Sequence, residues 1–181
     1  KEGIHLRAVV SRQGQTDDAL EPYRQALGLA ASYEAHNGLG TNFIGKGDLE
    51  EAIDHYSRAL EIQPDSAVVH NNLAIALATQ KRLEEAVDHF SKALEIDPQM
   101  VDAMTNLGAV QIERGQVAEA IEWYRRVLEL GEGNAAIHNK LGVILIRKGE
   151  TDEAVGHFSE AVRIDPAYQE ARENLARFQP R

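Results

Sequence analysis

The chain has 181 residues, of which 43% are apolar and 27% are charged, and its formal net charge is −10. This composition is typical of a soluble protein. The acidic excess argues against a nucleic-acid partner, because binding a phosphate backbone needs lysine and arginine concentrated on one face. No apolar run approaches the roughly 18 residues of a membrane helix, and the absence of cysteine excludes disulfides and cysteine-bound metal.

A unit of 34 residues repeats along the chain without gaps. Its copies cover residues 33–66, 67–100, 101–134 and 135–168. Residues 1–32 are predicted to be a divergent first copy, because they keep the order of small and apolar residues but step by 33 residues to the next copy. Residues 169–181 start a further copy and are predicted to form a capping helix with a polar outer side. A period of this length indicates a repeat array.

The pattern in the copy 33–66 predicts two helices. Apolar residues recur at helical spacing over 34–46, and Gly47 is expected to end this helix in the left-handed conformation. Asp48 stands three residues before Glu51, which predicts a capping box at the start of the second helix. The second apolar stripe ends before Pro64, which cannot donate a backbone hydrogen bond.

The later copies depart from this pattern at single positions. Lys81 stands where the other copies have glycine, and a left-handed backbone there would strain it by about 1 kcal/mol. Gln111 occupies a position that elsewhere holds a large apolar residue, so a buried amide is expected. Trp123 is the only tryptophan, in a column that holds histidine elsewhere, and residues 131–133 replace the closing proline with a glycine-rich turn.

Columns of small and large residues recur in a fixed order in the four copies. They include Leu39, Leu73, Leu107 and Leu141, then Gly40, Ala74, Gly108 and Gly142, and then Tyr56, Phe90, Tyr124 and Phe158. In this order the chain resembles the tetratricopeptide repeat family over residues 33–168. The resemblance implies an all-α, right-handed solenoid of stacked antiparallel helical hairpins, in which the first helix of each copy lines an inner groove.

Six of the seven histidines fall in two columns of the repeat. They are His36, His70 and His138, and His55, His89 and His157. Successive members of one column would lie about 10 Å apart, which is too far for one ion with ligands at about 2 Å. We therefore expect no metal site. The histidines are interpreted as packing residues that affect acid stability if they are buried in the neutral form.

No catalytic motif is present in the sequence. A glycine-rich phosphate loop, an H-E-x-x-H helix and a nucleophile elbow are all missing. Acidic pairs such as Glu50–Glu51 and Glu84–Glu85 stand at predicted helix starts, where negative charge offsets the helix dipole. We therefore expect neither enzymatic activity nor a cofactor.

The inner groove that the resemblance implies is the remaining candidate site. The residues expected to face it are Asn37, Thr41, Asn71, Asn72, Ile75, Thr105, Asn106, Ala109, Asn139, Lys140 and Val143. Asparagine is the commonest type, and its amide can both donate and accept hydrogen bonds to the backbone of an extended peptide. The alternative is that these amides only bond neighbouring backbone.

Two known patterns of the family can be compared with this groove. The column Asn72, Asn106 and Asn174 is similar to the asparagine ladder of the O-linked N-acetylglucosamine transferase repeats, although Gly38 and Lys140 interrupt it. The carboxylate clamp of chaperone-binding repeats is not matched, because only Asn106 is of the required type. A chaperone C-terminus is therefore not the expected ligand.

The sequence predicts a non-catalytic protein-interaction module or scaffold that binds a peptide or partner segment of unknown identity. One alternative is the substrate-recruiting repeat region of a larger enzyme such as a glycosyltransferase. Another is a homo-oligomeric scaffold in which the groove holds a segment of a second copy. Because the chain starts at Lys1 within a helical pattern, it is interpreted as part of a longer protein, and its compartment is left open.

Overall fold

The computed structural model describes residues 32–179 of the chain. In this range the backbone forms nine helices and no strand, so the predicted all-α class is confirmed. The helices are α1 (Tyr33–Lys46), α2 (Leu49–Ile62), α3 (Ala67–Thr79), α4 (Leu83–Ile96), α5 (Val101–Glu113), α6 (Val117–Glu129), α7 (Ala135–Lys148), α8 (Thr151–Ile164) and α9 (Gln169–Phe178). None of these nine is long and apolar enough to cross a membrane. The divergent copy predicted at 1–32 lies outside the described residues, apart from Ser32.

The chain divides into two compact units, with the break between Met100 and Val101. In the first unit, α1 packs on α2, α2 on α3, and α3 on α4. In the second unit, α5 packs on α6, α6 on α7, α7 on α8, and α9 on both α7 and α8. A single hairpin cannot bury its own apolar stripe, and stacking within each unit covers it.

The centre of each hairpin is an aromatic ring on the second helix. Tyr56, Phe90, Tyr124 and Phe158 are each at most 2% exposed. A Cβ added to Gly142 would lie 2.5 Å from the ring of Phe158, and one added to Gly108 would lie 3.1 Å from the ring of Tyr124. The small column of the repeat is therefore set by the close approach of a ring, and the approach is tighter at Gly142.

Left-handed residues end the first helices, as the glycine column predicts. Gly47 ends α1 with φ 85°, and Gly149 ends α7 with φ 87°. Lys81 follows α3 with φ 64° and is the one non-glycine residue at positive φ in the described range. The left-handed conformation expected for Lys81 is therefore confirmed, with a strain of about 1 kcal/mol for an L residue.

The capping box predicted at Asp48 is wrong. Asp48 precedes α2, but its side chain makes no capping hydrogen bond, and α4, α6 and α8 also begin without one. The Asp48 N–H instead bonds the carbonyl of Phe43 in the turn after α1, which holds Asp48 at φ −84°, ψ 74° rather than in the extended region usual for a capping residue. Side-chain caps occur on first helices, where Ser32, Ser66 and Asn134 each accept from the backbone N–H three residues later.

Gln111 is buried as expected, with 8% of its surface exposed. Its amide oxygen accepts a hydrogen bond from Nη1 of Arg114 at 2.9 Å. The polar side chain therefore keeps a partner in an otherwise apolar column. Replacing Gln111 with leucine would remove this bond, so the gain in stability is smaller than for an unpartnered amide.

Candidate functional site

The groove residues predicted in the first unit differ in their access to solvent. Asn37, Thr41, Asn72 and Ile75 are partly exposed, whereas Asn71 is only 5% exposed. Nδ2 of Asn72 donates to Oδ1 of Asn37 at 3.3 Å, so two of the predicted peptide-binding amides bond each other. Oγ1 of Thr41 donates to the backbone carbonyl of Asn37 at 3.0 Å. The structure brings Asn37, Thr41 and Asn72 together and places Asn71 in the packing.

In the second unit, Asn139 ties the last helix to α7. It is 1% exposed, its Nδ2 donates to the Tyr168 hydroxyl at 3.3 Å, and its Oδ1 accepts from Nδ2 of Asn174 at 2.9 Å. This amide is therefore engaged within the protein. Of the other predicted residues, Thr105, Asn106, Ala109 and Val143 are partly exposed and Lys140 is exposed.

A pocket of about 200 Å³ lies on α7, the first helix of its hairpin. It is lined by Ile112, Asn139, Lys140, Val143, Ile144, Arg147, Tyr168 and Glu170. Of this lining, Asn139, Lys140 and Val143 were predicted from the sequence, whereas Arg147 was not, nor were the remaining residues, Ile112, Ile144, Tyr168 and Glu170. The signal was available, because Arg147 follows Lys140 by seven residues, which places both on one helix face two turns apart.

Acidic charge is concentrated on the second helices of the hairpins. The first helices, α1, α3, α5 and α7, carry three acidic and four basic side chains. The second helices, α2, α4, α6 and α8, carry fourteen acidic and five basic side chains. The acidic excess of the whole chain therefore does not extend to the surface where the groove is expected.

Three histidine pairs join the two helices of a hairpin. The Nδ1 atoms lie 2.9 Å apart in His36–His55, 2.9 Å apart in His70–His89 and 3.0 Å apart in His138–His157. The spacing along each column does not reveal that the two columns meet inside these three copies. A pair supplies two of the four ligands of a zinc site, and within 32–179 no three His, Asp or Glu side chains form a metal-binding group.

The hydrogen bonds of the central pair fix its tautomers. Nε2 of His70 donates to the carbonyl of Pro64 at 2.9 Å, so in the neutral ring Nδ1 of His70 accepts from Nδ1 of His89. There is room for one hydrogen between the two nitrogens and not for two. Burial lowers the pKa of His89 to about 4 and also lowers the pKa of His70. Burial likewise lowers the pKa values of His36, His55, His138 and His157.

A second surface pocket, of about 240 Å³, lies on α6 around the single tryptophan. The guanidinium of Arg126 lies 5.8 Å from the ring centre of Trp123. Its neighbour Arg125 donates to Glu153 at 2.8 Å. Because all lining residues of this pocket lie on α6, a second helix, it is separate from the surface predicted to bind a partner.

Comparisons with known proteins agree with the repeat fold. MamA is 25% identical, with a TM-score of 0.77 over 91% of this chain and 93% of MamA. Pseudomonas aeruginosa pilF is also 25% identical, with a TM-score of 0.76 over 91% of this chain and 82% of pilF. YrrB, described as a TPR protein with an unusual peptide-binding site, is 23% identical with a TM-score of 0.75 over 88% of this chain and 82% of YrrB, which shows the fold alone.

The family assignment rests on a match over nearly the whole chain. No curated protein matches the chain significantly. Residues 5–179 match the family described as the cilia and flagella-associated protein 70 C-terminal domain. The helical hairpins, the 34-residue period and the similar TPR structures all agree with this match. The chain therefore belongs to the family of the cilia and flagella-associated protein 70 C-terminal domain, a tetratricopeptide-repeat family.

Proposed function

We propose that the chain is a non-catalytic interaction module that binds an extended segment of a partner protein on the first helices within a unit. The observation that carries the proposal is the separation of charge between the two kinds of helix. The first helices offer partly exposed amide, hydroxyl and apolar side chains, and the acidic side chains lie mainly on the second helices. A surface of this kind can bond a peptide backbone and cover its apolar side chains.

The similarity to YrrB supports a peptide as the ligand, because that protein is described as having a peptide-binding site. The partly exposed groove residues of each unit supply both kinds of contact that a peptide needs. In the first unit, Asn72 and Thr41 offer polar groups beside the apolar Ile75. In the second unit, Val143 lies in the pocket on α7.

An asparagine ladder like that of the O-linked N-acetylglucosamine transferase repeats remains a hypothesis about how such a segment is held. Two of its members already have protein partners, because Asn72 donates to Asn37 and Asn174 donates to Asn139. Each amide nitrogen carries two hydrogens, so one stays available for a ligand carbonyl. Under this hypothesis the internal bonds orient the amides, and the ligand uses the remaining hydrogen.

Two alternatives use the same surface. The repeats could recruit substrates for an enzyme of which this chain is one region, or they could hold a segment of a second copy of the chain. The gene sequence on either side of the chain decides the first alternative. Light scattering at increasing protein concentration decides the second.

The experiment selects short random peptides that bind the full chain and measures their affinity by fluorescence anisotropy. The variants Ile75→Glu and Val143→Glu place a charge on the first helix of each unit, where the residues are partly exposed. Ser159→Glu is the matched control on the exposed side of α8. We expect at least one first-helix variant to weaken binding by tenfold or more, which corresponds to about 1.4 kcal/mol. The control should bind as the parent does.

Circular dichroism of each variant shows whether the helices are intact. Selected peptides that bind all first-helix variants normally and lose affinity with Ser159→Glu would contradict the proposal. If no peptide is enriched and light scattering shows oligomers that Ile75→Glu or Val143→Glu dissociates, the surface is a self-association site instead.

A further inference from the structure

We propose that the pocket on α7 takes an acidic partner segment in which an apolar side chain is flanked by carboxylates. This inference rests on the proposed function and names the chemistry of its ligand in the second unit. The pocket is lined along α7 by Lys140, Val143, Ile144 and Arg147, which follow one another at helical spacing.

The apolar part of the pocket suits one or two side chains of a peptide. Its volume is about 200 Å³, and Ile112 of α5 joins Val143 and Ile144 in lining it. Val143 is partly exposed, so apolar surface is accessible from solvent. Covering this surface with a ligand side chain would be favourable, because it removes apolar area from water.

The two cations of the pocket are available to a ligand. Lys140 and Arg147 are exposed, and within residues 32–179 neither has an ion-pair or hydrogen-bonding partner. Other basic side chains of this unit are engaged, since Lys148 pairs with Glu150 and Arg163 pairs with Glu160. Two open cations beside apolar surface are complementary to carboxylates that flank an apolar residue.

The spacing of the cations matches an extended chain. Arg147 follows Lys140 by seven positions in the helix, which corresponds to about 10.5 Å along the axis. In an extended peptide this distance spans about three residues at roughly 3.3 Å each. An acidic residue before and after the buried apolar residue can therefore reach one cation each.

The single carboxylate in the pocket lining does not cancel this preference. Glu170 accepts a hydrogen bond from the Tyr168 hydroxyl at 3.2 Å, and that hydroxyl accepts from Asn139. The carboxylate is thus held at the α9 side of the pocket by a chain of bonds that begins on α7. Its charge disfavours an acidic residue beside it, which favours placing the ligand's carboxylates at Lys140 and Arg147.

The remainder of the chain makes a polyanion such as nucleic acid a poorer fit than a short acidic peptide. The second helices carry a large acidic excess, which repels an extended run of phosphates. A peptide that only fills the pocket meets two cations and apolar surface. Binding through exposed charges should weaken as ionic strength rises, because salt screens them over about 10 Å at 0.1 M.

The test measures the binding of labelled, C-terminally amidated peptides to the full chain by fluorescence anisotropy. One peptide has leucine flanked by aspartates three residues apart, a second replaces the aspartates with asparagine, and a third replaces the leucine with alanine. Lys140→Gln/Arg147→Gln is the test variant. Arg163→Gln is the control, because it also removes an exposed positive charge but lies on α8.

We expect the acidic leucine peptide to bind the parent chain about tenfold more tightly than either altered peptide. The double variant should lose about tenfold in affinity for the acidic peptide, and Arg163→Gln should lose less than twofold. Equal affinities for the acidic and amide peptides would overturn the inference, as would a double variant that binds like the parent chain. An oligonucleotide of equal charge that binds better than the peptide and is lost in the same variant would also overturn it.

Failure of this inference can be told apart from failure of the proposed function. If peptides from the random selection are neutral or basic and lose binding with Val143→Glu but not with the double variant, the groove binds peptides and only its charge preference is wrong. If no selected peptide depends on Val143 or Ile75, and the acidic peptide shows no binding, both are wrong.

Discussion

The hairpin at 101–134 differs from the other three hairpins in the side chains at two positions, one on each of its helices. The other three place a hydrogen-bonded histidine pair between their two helices. At the two equivalent positions the hairpin 101–134 has Met104, which is fully buried, and Trp123, which lies near the guanidinium of Arg126. Both positions change together because a single imidazole left there would lose its hydrogen-bonding partner. These two positions can therefore hold either two hydrogen-bonded histidines or two side chains that need no such partner.

The same hairpin also differs from 33–66 at its central ring. The Tyr56 hydroxyl donates to Oγ1 of Thr41 at 3.2 Å. The residue of 101–134 equivalent to Thr41 is Ala109, and the buried hydroxyl of Tyr124 has no partner in the part of the chain that the structure describes. Burial raises the pKa of Tyr124 to about 12. The buried tyrosine hydroxyl thus has a hydrogen-bonding partner in the hairpin 33–66 and lacks one in the hairpin 101–134.

The largest expected effect is on stability in acid, and it separates the two kinds of hairpin. Burial lowers the pKa of the paired histidines, to about 4 for His89, so the folded chain binds fewer protons than the unfolded chain below about pH 6.5. The contribution of His89 to stability is complete above that pH and is lost as pH falls toward 4, and that of the other paired histidines also declines below that pH. Around the pair His70–His89, Lys92 also lowers both pKa values, whereas Asp65 favours protonation of His70, and Asp88 and Glu85 favour protonation of His89.

Replacing the pair His70–His89 with the residue types of 101–134 should make the stability of the chain depend less on pH. The double variant His70→Met/His89→Trp should lose roughly a third of the decline in unfolding free energy between about pH 6.5 and 5, a range above the usual carboxylate pKa values. Urea unfolding followed by circular dichroism measures it. The single variant His70→Met is the control, because it leaves His89 unpaired and should be less stable than the double variant near neutral pH. If the unfolding free energy declines equally in the parent chain and the double variant, the pair His70–His89 does not cause the loss of stability in acid.

Gly142→Ala and Gly108→Ala should differ because the ring approaches more closely in the hairpin 135–168. At Gly142 the new Cβ lies 2.5 Å from Phe158, and overpacking costs about 1–3 kcal/mol. At Gly108 the contact is 3.1 Å, and the helix preference of alanine over glycine, about 1 kcal/mol, offsets most of the cost. The urea midpoints of the two variants measure the difference. Equal midpoints would show that both hairpins adapt alike.

Removing the tyrosine hydroxyl should have opposite effects in two hairpins. Tyr124→Phe should stabilise the chain by about 1 kcal/mol, because it removes a buried hydroxyl without a partner. Tyr56→Phe should destabilise it by about 0.5–1 kcal/mol, because it removes the bond to Thr41. Thermal unfolding compares the two variants. If Ala109→Thr does not also raise stability, the missing partner is not the reason for the difference.

Lys81→Gly has the smallest expected effect and compares the turn after α3 with the turn after α7. Lys81 has φ 64°, so glycine there should stabilise the chain by about 0.5–1 kcal/mol. The reverse change, Gly149→Ala at φ 87°, should destabilise it by a similar amount. A lower urea midpoint for Lys81→Gly would mean that side-chain interactions of Lys81 outweigh the strain.

Local patterns in the sequence determined the helices, their ends and their repeat. The apolar spacing predicts two helices in each copy, and the glycine column predicts the left-handed turn that Gly47 and Gly149 adopt and that strains Lys81. These features follow from the conformational preference of single residues and from the period of an apolar stripe. The repeat supports these predictions, because the same residue types recur at equivalent positions of several copies.

Only the tertiary structure decided which polar residues meet. The sequence does not show that Asn139 bonds Tyr168 and Asn174, because these bonds depend on how α9 packs against α7. The histidine pairs could be inferred from the sequence, because both columns lack histidine in the same copy, 101–134. The distance between the Nδ1 atoms, however, depends on how the two helices cross. Periodicity fixes which face of a helix is buried, whereas a hydrogen bond between helices requires a register of a few tenths of an ångström that only packing supplies.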